Sequence, residues 1–222
     1  MQRTVIFDLD GTLADTAGDL IAAANAALQA MGHAPALVPG QDDATAFRGG
    51  RAMLRLAGQR LGLSEQEDMV ERGYPILLEA YGHALDVHTR LYPGALAAVE
   101  RLRADGAALG ICTNKPEGLA VRLMERLGMA DLFDAIVGAD TLPVRKPDPA
   151  PYREAVDRAG GTTARSFLLG DTDTDRRTAR AAGVPCALVT FGPDGRAVAA
   201  LDPEALLDHF DQLDTVVAQL LP

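Results

Sequence analysis

Acidic side chains follow an apolar run near the beginning of the sequence. Residues 5–16 read VIFDLDGTLADT and contain Asp8 and Asp10, and a second acidic run, GDTDTD at 170–175, contains Asp171 and Asp175. Carboxylates gathered in one place repel one another unless they share a cation. With no histidine or cysteine beside them, hard oxygen donors favour Mg²⁺. The sequence therefore predicts a Mg²⁺ site formed by these four aspartates.

Three polar residues elsewhere in the chain suit an anionic ligand. Thr113 and Asn114 directly follow another apolar run, and Lys146 stands in the sequence RKPDP. A positive charge and a hydroxyl donor can hold the oxygens of a phosphoryl group. A carboxylate can itself be the nucleophile in phosphoryl transfer and form an aspartyl-phosphate. Together with the acids, these residues indicate phosphoryl chemistry.

Short apolar runs predict the elements that position these residues. Strands are predicted at 4–7, 108–112, 135–137, 166–169 and 186–190, and helical patterns cover 93–103, 117–127, 149–159 and 174–182. The strands are apolar throughout, which is typical of parallel strands covered on both faces. We therefore predict an α/β fold whose core is a doubly wound (Rossmann-like), mostly parallel sheet.

A long helical segment interrupts this alternation after the first strand. Leu20, Ala24, Ala27 and Leu28 recur at helical spacing, and two or three further helical patterns follow without a convincing strand. We predict a helical subdomain at 17–86 and an α/β core formed by 1–16 and 87–222. The tail at 201–221 is also predicted to be helical, with Pro203 near the start of a helix.

The predicted strand ends bring the polar residues to one place. Asp8 follows the first strand, Thr113 the second and Asp171 the fourth, while Lys146 lies in the loop beyond the third. Ligands of open α/β sheets bind in the crevice at the carboxyl ends of the strands. Four separate parts of the sequence are thus expected to meet in one site.

The same four parts resemble the signature motifs of the haloacid dehalogenase-like hydrolases. The motifs are DLDGTL at 8–13, Thr113-Asn114, KPDP at 146–149 and GDTDTD at 170–175, in that order across nearly the whole chain. Within that superfamily, the helical insert and the continuation DGTLADT resemble the phosphoglycolate phosphatase group. The resemblance implies an α-helical cap on an α/β catalytic core.

The resemblance also implies roles for the first two acids. Asp8 would attack the phosphorus atom in line, become phosphorylated and bind Mg²⁺ through its carboxylate. Asp10 would protonate the leaving alkoxide, later take a proton from the hydrolytic water, and bind the ion through its backbone carbonyl. An acid at position 10 argues against the dehalogenase branch, which needs no leaving-group acid.

Roles for the remaining motif residues are implied in the same way. Thr113 and Lys146 would hold the phosphoryl oxygens, with help from the Asn114 amide. Asp171 would bind Mg²⁺ directly, and Asp175 directly or through water.

The insert contains two candidate substrate-binding residues. In FRGGRAML, residues 47–54, a glycine pair separates Arg48 from Arg51 just before a helical pattern. Either guanidinium could hold a carboxylate of the substrate. Both could equally be ordinary surface arginines.

These features predict a Mg²⁺-dependent phosphomonoester hydrolase of a small phosphorylated metabolite, with 2-phosphoglycolate as the leading substrate. One alternative is a sugar phosphomutase or phosphotransferase of the same fold. Another is a non-catalytic regulator that binds phosphate, although such a protein would not need the second acid, Asp10.

Composition excludes several other classes of protein. The net charge of -10 argues against a nucleic-acid partner. No run of 18 apolar residues indicates a membrane span, and the beginning of the sequence does not resemble a secretion signal. The two cysteines, Cys112 and Cys186, lie in apolar runs and are predicted to be buried thiols. We expect a cytoplasmic protein, monomeric or homodimeric.

Two local features have structural explanations as well. Asp173 is predicted to be the N-cap of the helix at 174–182, while Thr172 and Asp175 have the spacing of a capping box. Asp15 could cap the first helix of the insert or help to form the entrance to the site.

Overall fold

The structure is a computed structural model that describes residues 2–222. Its strands are β1 (Thr4–Phe7), β2 (Ala14–Asp15), β3 (Arg90–Leu91), β4 (Ala108–Cys112), β5 (Ala135–Val137), β6 (Ser166–Gly170), β7 (Cys186–Val189) and β8 (Ala205–Leu207). Its α-helices are α1 (Ala17–Ala30), α2 (Asp43–Ala46), α3 (Gly50–Arg60), α4 (Gln66–His83), α5 (Ala95–Ala104), α6 (Glu117–Arg126), α7 (Ala150–Arg158), α8 (Asp173–Ala182) and α9 (Leu213–Leu220). The chain divides into two compact units, one with the residues up to Asp15 and Leu91–Pro222, the other Thr16–Arg90.

A six-stranded sheet forms the centre of the first unit. Its order is β5-β4-β1-β6-β7-β8, and every pair of neighbours is parallel. Helices alternate with the strands along the chain, as parallel connections require. The predicted α/β fold class is therefore confirmed.

The first strand lies in the middle of this sheet. Phe7, its last residue, is level with Ile111 of β4 on one side and Leu169 of β6 on the other. The next backbone amide, that of Asp8, still donates to the Leu169 carbonyl over 2.8 Å. Asp8 therefore leaves the sheet at its central position, with β4 and β6 ending beside it.

Apolar side chains bury both faces of the central strands. Ile6, Leu168 and Leu188 are fully buried in one cluster with residues of α7, and the alternate residues of β1, Val5 and Phe7, are fully buried as well. Burial on both faces explains why these strands lack polar alternation in the sequence. Both cysteines are buried free thiols, as predicted. No helix within residues 2–222 is long and apolar enough to cross a membrane.

The second unit consists of α1 to α4. The predicted stripe of α1 is buried, and α1 and α3 both pack against α4. The buried carboxylate of Asp19 accepts hydrogen bonds from the backbone amides of His88 and Thr89 and from the Thr89 hydroxyl. A bidentate pair between Asp42 and Arg60 fixes the segment between α1 and α2.

The tail differs from its prediction. Residues 201–221 contain a sixth core strand, β8, at the edge of the sheet, and only α9 is α-helical there. Pro203 precedes this strand and begins no helix. A three-residue apolar run has too few positions to distinguish a strand from a helix by periodicity.

Candidate active site

Asp8 stands at the carboxyl end of the central strand. Its Oδ1 atom accepts a hydrogen bond from the backbone amide of Leu9 over 2.7 Å, and its Oδ2 atom lies 3.0 Å from Nζ of Lys146. The side chain is 13% exposed. A largely buried carboxylate is thus held by one donor on each oxygen, and a small part of it remains open to a ligand.

Asp8, Asp171 and Asp175 form a cluster of acids. One carboxylate oxygen of each lies within 4.8 Å of the others. Oδ1 of Asp171 accepts from the Thr12 hydroxyl over 3.0 Å, whereas its buried Oδ2 has no hydrogen-bond partner among residues 2–222. A buried carboxylate oxygen without a partner is costly. This oxygen therefore indicates that the cluster is built for a further ligand.

Asp175 is the most firmly held member of the cluster. Its Oδ2 atom accepts from the backbone amides of Asp171 and Thr172 and from the Thr172 hydroxyl, over 2.8–3.2 Å. Its Oδ1 atom accepts from Lys146 over 2.6 Å. A Cβ atom on Gly170 would overlap Cγ of Asp175, so only glycine fits at that position. The motif glycine thus lets the Asp175 carboxylate approach the end of β6.

Because the acids of the cluster are buried close together, their simultaneous ionisation is unfavourable. Burial, with Asp175 and Asp10 nearby, raises the pKa of Asp8 to about 7 even though Lys146 opposes the shift. Burial, Asp175 and Asp8 likewise raise the pKa of Asp171 well above its usual range. A divalent cation would remove this conflict, and a set of hard oxygen donors with one unpartnered buried oxygen fits such an ion.

Lys146 joins the nucleophile candidate to the acid cluster. Burial alone would lower the pKa of its ammonium, but the carboxylates of Asp175 and Asp8 raise it, so the group is charged. Its backbone carbonyl accepts a hydrogen bond from the exposed Asn114 side chain over 3.0 Å. Asn114 therefore holds the loop that carries Lys146, a contact that the sequence did not indicate.

Thr113 and Asp10 adjoin a residue that the sequence analysis missed. The Thr113 hydroxyl oxygen accepts from the backbone amide of Lys115 over 3.2 Å. Nζ of Lys115 contacts both carboxylate oxygens of Asp10, at 2.7 and 2.9 Å. The Asp10 carboxylate is not part of the three-acid cluster found in residues 2–222, and a contact of its backbone carbonyl with a metal ion stays a prediction.

The helix after the second acidic run begins one residue earlier than predicted. Thr172 is the N-cap of α8 and Asp175 completes a capping box with it, as its spacing suggested. Asp173 is the first residue of the helix, so its predicted role as N-cap is wrong. Asp15 does not cap α1 either, because Thr16 occupies the N-cap position.

The two candidate arginines of the helical unit have different surroundings. Arg51 pairs with Glu71, and its guanidinium lies 4.4 Å from the centre of the Tyr74 ring. Arg48 is exposed in the segment between α2 and α3. Gly49, which follows it, has a φ of 97° and requires the conformational freedom of glycine. Arg48 is therefore the less constrained of the two.

The fold and the acid cluster together define a haloacid dehalogenase-like hydrolase. Residues 5–189 match the model of that family, and the chain belongs to it. Among its relatives, the chain is similar to a phosphoglycolate phosphatase of Mesorhizobium japonicum, with 38% identity over 98% of this chain and 95% of the relative. A phosphoglycolate phosphatase of Rhodospirillum rubrum is 39% identical over 96% of this chain and 90% of the relative.

Solved structures share the whole fold. The crystal structure of a predicted phosphoglycolate phosphatase from Haemophilus somnus superposes with a TM-score of 0.81 and 25% identity, over 97% of each chain. A hydrolase from Pseudomonas syringae superposes over the full length of both chains with a TM-score of 0.76 and 23% identity. The latter similarity shows the fold alone.

Proposed function

We propose that this chain is a phosphomonoester hydrolase that works through an aspartyl-phosphate on Asp8. The observation that carries the proposal is the setting of Asp8: a partly open carboxylate at the end of the central strand, beside a buried lysine and two buried acids. Lys146 offers positive charge to the oxygens of a phosphoryl group, as transfer of that group requires.

The first half of the reaction would use both acids of the first motif. An oxygen of Asp8 attacks phosphorus, and the bond between phosphorus and the ester oxygen breaks. Asp10 gives its proton to the leaving alkoxide, so a neutral alcohol departs. The Thr113 hydroxyl and the ammonium of Lys146 hold the phosphoryl oxygens.

The second half would return the enzyme to its first state. Water attacks phosphorus, Asp10 takes a proton from that water, and the bond between phosphorus and Asp8 breaks. Inorganic phosphate leaves, and Asp8 is again a carboxylate. One residue can serve in both steps because it gains in the second step the proton that it lost in the first.

A divalent cation would be held by Asp8, Asp171 and Asp175, with the Asp10 backbone carbonyl as a further predicted ligand. Mg²⁺ is the ion that suits these oxygens and a phosphate substrate. When bound, it supplies positive charge that offsets the charge of the phosphoryl oxygens and of the acids.

The leading substrate is 2-phosphoglycolate. The relatives named phosphoglycolate phosphatase, similar to this chain over nearly its whole length, support this choice. Such a substrate has a carboxylate besides its phosphate, and a guanidinium is a suitable partner for a carboxylate. Arg48 and Arg51 are the candidates for that contact, and Arg48 is the better one because Arg51 already pairs with Glu71.

Phosphate release from a panel of esters tests the proposal. The panel contains 2-phosphoglycolate and several sugar phosphates, each assayed with Mg²⁺ and with EDTA. Release should require Mg²⁺, and Asp8→Asn should lower it by roughly 10⁴-fold or more while the protein stays folded. Release that is unaffected by Asp8→Asn, or none from any ester, would contradict the proposal. Transfer of phosphate to an added sugar would instead indicate a phosphotransferase.

A further inference from the structure

The chain contains only two lysines among its 21 basic residues, Lys115 and Lys146. Lysine is usually an exposed residue, yet these two, taken as whole residues, are only 6% and 3% exposed. Both contact aspartates that follow β1, and all other basic residues are arginines. The sequence has lysine at these two buried positions and nowhere else. This restriction indicates that Lys115, like Lys146, belongs to the site.

The contact of Lys115 with Asp10 uses the whole carboxylate. Nζ lies 2.7 Å from Oδ1 and 2.9 Å from Oδ2. An ammonium has three donors and can contact both oxygens at once. The Asp10 side chain remains 18% exposed, against 3% for the side chain of Lys115. The Asp10 carboxylate can therefore still contact a substrate or water, whereas the Lys115 ammonium is shielded from solvent.

The backbone holds both partners in fixed places. The amide of Lys115 donates to the Thr113 hydroxyl oxygen over 3.2 Å, and its carbonyl accepts from Ala139 over 2.9 Å. Asp10 forms a β-bridge with Ala14. Because β1 and β4 are parallel neighbours in register, the residues after them emerge side by side. The ion pair between Lys115 and Asp10 thus joins two segments that are each held by backbone hydrogen bonds.

We propose that Lys115 is a positioning residue for the reaction, which holds the Asp10 carboxylate where it exchanges protons with the leaving group and the water. This inference rests on the proposed function of Asp10. A general acid or base works only within hydrogen-bond reach of its partner, and a carboxylate on a free side chain has several rotamers. Contact of the Lys115 ammonium with both carboxylate oxygens restricts the Asp10 side chain to one rotamer. Lys115 acts through Asp10 and not by contact with substrate.

A kinetic double-mutant cycle distinguishes this role from direct contact with substrate. Lys115→Met, Asp10→Asn and the double variant are compared with wild type on an alkyl phosphate, whose leaving group needs a proton. Lys115→Met should lower kcat by about 10- to 100-fold with little change in KM, because misplacing a catalytic group costs that much. In the Asp10→Asn background, Lys115→Met should cause no further loss, since residues that act as a unit are not additive.

An aryl phosphate supplies the second comparison. Its leaving group departs without a proton, so the formation of the phosphorylated enzyme should be much less sensitive to Lys115→Met than with the alkyl ester. Lys115→Arg keeps the charge and should recover part of the activity lost in Lys115→Met. Arg103→Met, which removes a cation paired with Asp134 away from the site, is the matched control and should keep wild-type kinetics.

A signal that does not depend on turnover checks the contact itself. With ¹⁵N-labelled lysine, the two lysines give two side-chain resonances, and Asp10→Asn should shift the one that disappears in Lys115→Met. An unshifted resonance would overturn the inference. The inference would also be overturned if the losses of kcat in Lys115→Met and Asp10→Asn multiplied in the double variant, or if Lys115→Met raised KM and left kcat unchanged. An inactive wild type would refute the proposed function and this inference together, whereas an active wild type with multiplying losses would refute this inference alone.

Discussion

Nζ of Lys146 lies 3.0 Å from Oδ2 of Asp8. The same ammonium contacts Asp175 over 2.6 Å, so one buried cation faces two buried acids. Asp171 adds a third acid to this cluster. The cluster therefore has fewer positive than negative groups.

Lys146→Met should damage both stability and turnover. The change leaves Asp8 and Asp175 buried without their cation, which should lower the free energy of unfolding by about 3 kcal/mol. Loss of a charged donor to the phosphoryl oxygens should lower kcat/KM by about 100-fold or more. Urea unfolding and ester hydrolysis measure the two effects. Wild-type kcat/KM in a folded Lys146→Met protein would refute the assigned contact with phosphate.

Without a divalent cation, the acid cluster should make stability fall as the pH rises. The pKa of Asp8 is about 7 in the folded protein, against an ordinary value of 3.8. Between these values the folded state binds the proton that the unfolded state has lost, so each added pH unit lowers the free energy of unfolding by up to about 1.4 kcal/mol. This loss of stability has not begun below pH 3.8 and is complete above about pH 7.

Asp8→Asn isolates this effect from the other titrating groups. Urea unfolding in EDTA, at several pH values across that window, should show a difference between wild type and Asp8→Asn that grows with pH. Groups that do not interact with Asp8, such as Asp42, whose pKa its partner Arg60 lowers, cancel in the difference. A constant difference across the window would mean that Asp8 ionises normally in the folded protein.

The sequence predicted the sheet and the positions of the motif residues because both depend on local patterns. Apolar runs identified five of the six core strands, and the polar residues at their ends are adjacent wherever parallel strands are neighbours. The strand β8 was missed because three apolar residues after Pro203 carry no readable period. Burial, which decides the raised pKa of Asp8, depends on packing across the sheet.

Contacts between distant parts of the chain could not be predicted in the same way. Lys115 meets Asp10 only because β1 and β4 are neighbours in register. The sequence offered one indirect sign, the scarcity of lysine. Arg51 meets Glu71 and Tyr74 only because α3 packs on α4. Such pairings depend on tertiary structure, which spacing within a segment does not reveal.

Asp171→Asn should distinguish the destabilising effect of the acid cluster on the fold from its role in binding Mg²⁺. In EDTA the variant should be more stable than wild type by about 1 kcal/mol, because it removes a carboxyl group that burial and the neighbouring acids make costly to ionise. Added Mg²⁺ should raise the melting temperature of wild type and leave that of Asp171→Asn nearly unchanged. An equal rise in both proteins would place the ion elsewhere. Asp173→Asn, at an exposed acid two residues away, is the control and should respond as wild type does.

Gly170→Ala should disturb the site through packing alone. The new Cβ would overlap the Asp175 carboxylate, which is fixed by Lys146 and by Thr172 and has no room to yield. We expect the free energy of unfolding to fall by about 2 kcal/mol, and the affinity for Mg²⁺ to fall as well, because Asp175 must leave its place in the cluster. Gly118→Ala is the matched control, since a Cβ there meets nothing within 4 Å; because Gly118 lies in the first turn of α6, alanine there should leave stability unchanged or raise it by up to about 1 kcal/mol. Urea unfolding and Mg²⁺ titration of both variants measure the difference. If Gly170→Ala bound Mg²⁺ as tightly as Gly118→Ala does, Asp175 would not need its observed position to hold the ion.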